Sequence, residues 1–181
     1  IVRKFIMVIL TLVLTASTFI GCGTGEGNES DTTRTITDAA GRTVEIPATV
    51  ERIVPLGNAP RMITYLGLAN KVVGYSGSDP SKVTPVTAYA YANREVWADI
   101  PIVGTDSAGA TAYYAEEIIS VHPDVILCTY TGELADEIQT KTGTPVIVLP
   151  QGTLFGEDYE QALRLIGDVC GVGEKAEQVI T

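Results

Sequence analysis

Five short apolar runs, at 52–56, 71–75, 101–103, 124–128 and 145–149, set the strongest limit on how this chain folds. Each is rich in β-branched residues and nearly continuous rather than alternating, which is how a strand covered on both faces reads. Between most of them lie stretches with helical periodicity, at 59–68, 112–121, 132–142 and 156–169. Strands alternating with helices predict βαβ units, and right-handed crossovers put the helices on both sides of the sheet. The expected fold class is therefore α/β, a three-layer sandwich with a mostly parallel sheet. Ahead of this rhythm, Thr/Val/Ile runs at 34–37 and 43–46 flank a turn at Gly41 and read as a hairpin, stopped by Pro47. One segment, 76–100, breaks the rhythm. It is long for a loop inside a compact domain, and Tyr89, Tyr91 and Trp97 argue that it is ordered and functional.

The start of the chain has a different character. Arg3 and Lys4 precede an apolar stretch at 5–14, then small and polar residues, then Gly21-Cys22. That order is the order of a secretory signal, and the apolar stretch falls short of the roughly 20 residues a membrane span needs. Gly21-Cys22 resembles the lipobox of prokaryotic lipoproteins, so residues 1–21 are expected to be a signal peptide. Cys22 is expected to be the lipid-modified first residue of the mature protein, anchoring it outside the cell membrane. Residues 22–33 are small, polar and acidic and read as a flexible tether. Residues 34–172 suit one α/β lobe. At 173–181 a new helix begins and is unfinished where the sequence stops, which reads as a fragment of something longer.

Chemistry is thin. The net charge of −10 argues against nucleic acid as a partner, because binding phosphates needs a basic face. The only His, His122, stands before Pro123-Asp124 and is expected to be structural; with so little imidazole, free zinc or manganese is disfavoured as a ligand. No phosphate loop, dinucleotide fingerprint or nucleophile elbow occurs, and no carboxylates are paired for acid–base work. The reading is binding, not catalysis, with no resident cofactor and no metal ligands. Cys128 and Cys170 sit in apolar runs and read as buried free thiols, with pairing the alternative.

Several segments in order resemble one family. Thr37-Asp38-Ala39-Ala40-Gly41-Arg42-Thr43-Val44-Glu45-Ile46-Pro47 resembles its opening hairpin, and Glu51-Arg52-Ile53-Val54 its first sheet strand. Leu66-Gly67-Leu68-Ala69-Asn70-Lys71-Val72-Val73-Gly74, Glu116-Glu117-Ile118-Ile119-Ser120-Val121-His122-Pro123-Asp124-Val125-Ile126 and Thr142-Gly143-Thr144-Pro145-Val146 are similar to its later motifs. The family is that of the iron-siderophore, haem and cobalamin substrate-binding proteins of ABC importers, the helical-backbone or class III type. The resemblance implies the N-terminal lobe of a two-lobe protein, with 173–181 starting the helix between lobes. It also implies a metal chelate or corrinoid as ligand and permease subunits of an ABC importer as partners. Glu116 matches the family's permease-docking residue, with Glu117 as fallback; a Glu favouring its own helix through the dipole is the plain alternative.

In open α/β sheets, ligands sit beyond the carboxyl ends of the strands. Here those ends carry Asn58, Arg61, Tyr75, Ser76, Asp106 and Tyr130, and the long segment adds Tyr89, Tyr91 and Arg94. Tyr faces pack on flat macrocycles, and Arg meets carboxylates in a bidentate fork. For each Tyr, anchoring the loop is as good a reading, and for Arg94 a surface ion pair is the better one. Two other functions fit the same composition. One is a flavodoxin-like redox or enzymatic domain, for which Gly57-Asn58-Ala59-Pro60 is a poor phosphate loop because Pro60 removes an amide donor. The other is a surface sensor that binds the same ligand without transport.

Overall fold

The structure, a computed structural model, describes residues 32–107 and 110–181, with the side chains of 106, 107, 110 and 111 outside that description. Cys22, with the expected signal and all but the last two residues of the expected tether, lies outside the described residues. The chain forms β1 (Thr33–Thr37), β2 (Thr43–Pro47), β3 (Ile53–Leu56), α1 (Ala59–Tyr65), β4 (Tyr75–Ser76), α2 (Ala88–Ala92), β5 (Ile102–Ser107) and β6 (Ala110–Tyr113). It continues with α3 (Ala115–Ser120), β7 (Val125–Cys128), α4 (Gly132–Thr142), β8 (Val146–Val148), α5 (Glu157–Val169) and α6 (Gly173–Ile180).

β3, β7 and β8 pair in parallel in the order β3-β7-β8. β4 and β5 are parallel, and β5 and β6 antiparallel. A parallel bridge between Ile53 and Val72 ties the approach to β4 onto β3. Along the central strands successive side chains alternate between two cores. Ile53, Val125, Leu127 and Ile147 join α1, α5 and the β1–β2 hairpin. Val54, Leu56, Ile126, Cys128, Val146 and Val148 join α3 and α4. This is why the strands read as continuous apolar runs: both faces are roofed. Each fully buried aliphatic side chain contributes roughly 1.5–3 kcal/mol. The architecture is the expected three-layer α/β sandwich.

The hairpin motif has a mechanical explanation. The Asp38 carboxylate is fully buried and accepts from the Ala40 N–H (3.0 Å), the Arg42 N–H (3.0 Å), Arg42 Nε (3.0 Å) and Nη2 (2.7 Å), and the Val148 N–H (3.1 Å). Arg42 also reaches Asp136 (2.6 Å) and the Val146 carbonyl (2.6 Å), so the turn is riveted to the β8 edge. A second clamp joins the other motifs. The Asp124 carboxylate accepts from the N–H groups of Glu51 and Arg52, and Arg52 donates to the carbonyls of His122 and Val121. His122, at φ 42°, ends α3 in a left-handed residue.

Three local expectations change. A helix over 112–121 gives way to β6 and a shorter α3, because Ala110–Tyr113 pairs along β5 and Tyr114 stays extended ahead of the first helical turn. The strand expected at 71–75 shrinks to Tyr75–Ser76, after a 3-10 turn at Ala69–Lys71. The long segment contains a 3-10 turn (Pro80–Lys82) and α2, and it is anchored by Trp97, which is fully buried against Tyr75 at 4.9 Å and donates from Nε1 to the Ala69 carbonyl. Cys128 and Cys170 are free and buried.

Candidate ligand-binding rim

The carboxyl ends of β3, β7 and β8 meet at one cavity of about 370 Å³, within the range of small-ligand sites. Asn58 follows β3, Thr129 follows β7, and Pro150, Gln151 and Gly152 follow β8. α1 contributes Arg61 and Met62, and the start of α5, with the loop before it, contributes Tyr159 and Leu154. A neighbouring cavity of about 400 Å³, between α1 and α2, shares Arg61; a third, of about 530 Å³, shares Pro150 and Gln151 and reaches Tyr130 and the hairpin turn.

The turn from β3 into α1 is tight. Gly57 has φ 65°, and a Cβ there would collide with Thr129 Oγ1 and lie 3.2 Å from the Tyr130 ring. Only glycine holds that conformation at low cost with so little room. The Asn58 N–H donates to Thr129 Oγ1 at 3.0 Å, so this amide is already used and does not cradle a phosphate. That weighs against the flavodoxin-like reading.

Arg61 differs from the other described arginines. Among the described residues it has no hydrogen-bond or ion-pair partner; its guanidinium stands over the Tyr89 ring at 5.7 Å, facing both cavities. Tyr159 is 7 % exposed, and its hydroxyl has no hydrogen-bond partner among the described residues. A buried hydroxyl left so costs on the order of 1–3 kcal/mol. Burial, reinforced by Tyr65 and opposed by Arg61, pushes its phenol up to about 12, so it is a neutral O–H donor at ordinary pH. The Phe155 ring meets Tyr159 edge-on at 5.8 Å and stacks with Tyr65 at 6.5 Å. Phe155 is 70 % exposed and has φ 61°, a conformation that costs a non-glycine residue about 1–2 kcal/mol.

The expected site residues separate. Asn58 and Arg61 line the cavity at the strand ends, Tyr89 the second and Tyr130 the third. Tyr75 and Ser76 do not face the rim, which corrects the expectation: they are buried in β4, and Tyr75 lies under Trp97 and is hydrogen-bonded to the Tyr89 side chain, with burial pushing its phenol well up. Arg94 bonds the Tyr91 carbonyl (2.7 Å) and Glu95 (3.1 Å) and covers the exposed Tyr91 ring at 4.3 Å, so the pair is locally engaged. Asp106 lies in β5, with its side chain outside the described residues. Glu116 and Glu117 are exposed in the first turn of α3. Sequence reasoning missed Tyr159, which falls among the aliphatic residues of an amphipathic helix; its one signal was a polar tip on an otherwise apolar stripe. Among the described residues no group of three or more His, Cys, Asp or Glu is placed to hold a metal ion.

No protein-family model matches the chain, and no curated protein matches it in sequence. Solved structures do. A periplasmic solute-binding protein from Veillonella parvula aligns at TM-score 0.62 and 20% identity, over 82% of this chain and 44% of its own. The molybdate-binding protein of a Haemophilus influenzae ABC transporter aligns at 0.60 and 21%, over 81% and 49%. A protein of an ABC-type Fe3+-hydroxamate transport system from Saccharomonospora viridis aligns at 0.59 and 26%, over 81% and 51%. This chain thus spans about half the length of the structures it matches. The riveted hairpin, the doubly roofed sheet and the strand-end cavity together have the fold of the N-terminal α/β lobe of a two-lobe, class III periplasmic solute-binding protein.

Proposed function

We propose that this chain is the first jaw of an extracytoplasmic lipoprotein that binds a ferric siderophore, or haem or cobalamin, and delivers it to an ABC import permease. The observation that carries the binding role is Arg61, which among the described residues has no hydrogen-bond or ion-pair partner and faces a cavity at the carboxyl ends of three parallel strands. The protein with an Fe3+-hydroxamate system in its name supports an iron chelate, and the molybdate-binding one makes an oxyanion the alternative. Binding and release need no chemistry on the ligand, so the chain is read as a non-enzyme. On this reading Cys22 carries the lipid, residues 22–33 are the tether, residues 34–172 the lobe, and α6 begins the helix to the second lobe. A short tether would hold the binding lobe at high effective concentration near its permease.

The test is titration of the full-length mature protein with a ferric trihydroxamate, ferric citrate, haem, cobalamin and molybdate, followed by calorimetry and by quenching of Trp97. Saturable binding of an iron chelate, haem or cobalamin is expected; binding of none of these three sinks the reading. Delivery is tested separately. Glu116→Ala is expected to leave binding unchanged and to lower uptake in cells at least several-fold, and wild-type uptake by that variant would remove Glu116 from the docking surface.

A further inference from the structure

The Tyr89 ring, at 5.7 Å, is the one aromatic face that the Arg61 guanidinium stands over among the described residues. Arg61 belongs to α1 and Tyr89 to α2, so the contact lasts only if α2 is held against α1. It is held from two sides. The Asn93 side-chain amide donates to the Thr64 hydroxyl of α1 (2.8 Å) and to the Tyr89 carbonyl (2.9 Å). That bridge ties the backbone of Tyr89 to the helix that carries Arg61. From the other side, the Tyr89 side chain is hydrogen-bonded to Tyr75, and Tyr75 packs on Trp97 at 4.9 Å. Tyr75 and Trp97 are both fully buried, and Trp97 Nε1 donates to the Ala69 carbonyl. A chain of rings therefore runs from the core to the wall of the second cavity and ends under a guanidinium.

An arginine side chain left alone samples many rotamers, and fixing it on binding costs conformational entropy. A ring that already holds the guanidinium removes part of that cost before any ligand arrives. Arg61 lines both the strand-end cavity and the cavity between α1 and α2, whereas Tyr89 lines only the latter. Tyr89 is thus connected to the strand-end cavity through Arg61. We propose that Tyr89 is a positioning residue that presents the Arg61 guanidinium to the ligand, and that the long segment 76–100 is the brace that carries its ring. The proposal rests on the reading of the chain as a solute-binding lobe with Arg61 at its site, and it gives Tyr89 a role other than ligand contact. Tyr91 and Arg94 supply the counter-case within the same segment. There too a guanidinium covers a ring, at 4.3 Å, but Arg94 is bonded to the Tyr91 carbonyl and to Glu95, and neither residue lines these two cavities.

The experiment is a double-mutant cycle on the full-length mature protein. Calorimetry follows the binding of ferric citrate, haem, molybdate, cobalamin and a ferric trihydroxamate, and melting temperatures check the fold of each variant. For a probe that Arg61→Gln weakens, Tyr89→Leu is expected to weaken binding about two- to fivefold, the usual worth of an exposed cation–aromatic contact. Tyr89→Phe keeps the ring and is expected to bind within about twofold of wild type. In the Arg61→Gln background Tyr89→Leu is expected to have no further effect, a non-additivity that lost packing alone does not produce. Tyr91→Leu is expected to leave affinity unchanged. Tyr89→Met takes the place of Tyr89→Leu if that variant does not fold. Equal losses from Tyr89→Leu in both backgrounds overturn the proposal, because the ring then meets the ligand itself or serves only the packing. So do unchanged affinity in Tyr89→Leu, a Tyr89→Phe or a Tyr91→Leu as weak as Tyr89→Leu, and probe binding that Arg61→Gln leaves intact; each of these leaves the solute-binding reading standing. Coupling seen with molybdate, with no chelate, haem or cobalamin bound, supports the proposal and overturns the metal-chelate reading. No binding of any probe by wild type overturns both.

Discussion

Arg42 and Arg61 belong to the same lobe and live in opposite surroundings. Arg42 is closed in by Asp38, Asp136 and the Val146 carbonyl, and every bond it makes fastens the hairpin to β8. Arg61, one helix away from the sheet's carboxyl edge, leans on Tyr89 and bonds nothing else among the described residues. Arg52 follows Arg42, with the carbonyls of Val121 and His122 as acceptors. The difference teaches how to sort charged residues in a binding lobe. Where a guanidinium is saturated by the protein its work is to hold the fold, and where it is not, it is the one to test for a partner from outside.

The largest effect is expected at Asp38. Asp38→Ala strips the acceptors from Arg42 and from the Val148 N–H in a buried setting, and is expected to lower stability by about 3–5 kcal/mol in chemical denaturation. A loss under about 1 kcal/mol would break the contrast drawn above. Gly57→Ala comes next, at about 2 kcal/mol, because it meets both a left-handed backbone and the Thr129 hydroxyl; it is also expected to weaken ligand binding by displacing Asn58.

Alkaline pH probes the layers beneath the rim. Burial pushes the thiol of Cys128 from 9.0 up to about 11 and that of Cys170 up to about 12. Below 9.0 folded and unfolded chains both keep these protons and stability is unaffected. Above it the unfolded chain releases them first, so stability falls as pH rises toward 11–12, by roughly 1 kcal/mol per thiol near pH 10. A serine at both positions should flatten that slope, measured against a flat reference below pH 8.

The smallest effects on stability separate the last two arginines. Arg61→Gln removes a single cation–aromatic contact and is expected to cost at most about 1 kcal/mol. Arg94→Ala, which loses an exposed pair with Glu95, should cost about 0.5 kcal/mol and leave ligand affinity unchanged. Weakened binding by Arg94→Ala would return Arg94 to the site and blur the sorting by saturation.

Much of the fold is written in local pattern. A strand roofed on both faces has no choice but to be apolar at every position, so 53–56, 125–128 and 146–148 announce themselves. Asp38-x-x-Gly41-Arg42 and Pro123-Asp124 are legible for a different reason: each is a clamp whose geometry needs those side chains. β6 was not legible, because Ala110-Thr111-Ala112-Tyr113 commits to a strand only by lying against β5. The site was half legible. The topology put Asn58 and Arg61 at the strand ends. Whether Tyr75 or Tyr159 meets the cavity depends on which way each ring projects in three dimensions, and the two fell the opposite way from their sequence context.

The joint between α5 and α6 gives the Tyr159 wall a mechanical reach. A Cβ on Gly167 would come within 2.9 Å of the Ala176 Cβ, so the two helices touch with almost no padding. Arg164 adds a bridge to Glu177 at 2.8 Å. Tyr159 stands near one end of α5 and Gly167 two turns on, a lever of roughly 12 Å at 1.5 Å per residue. A rod so closely jointed is expected to carry a tilt at its cavity end into the heading of α6 rather than absorb it locally.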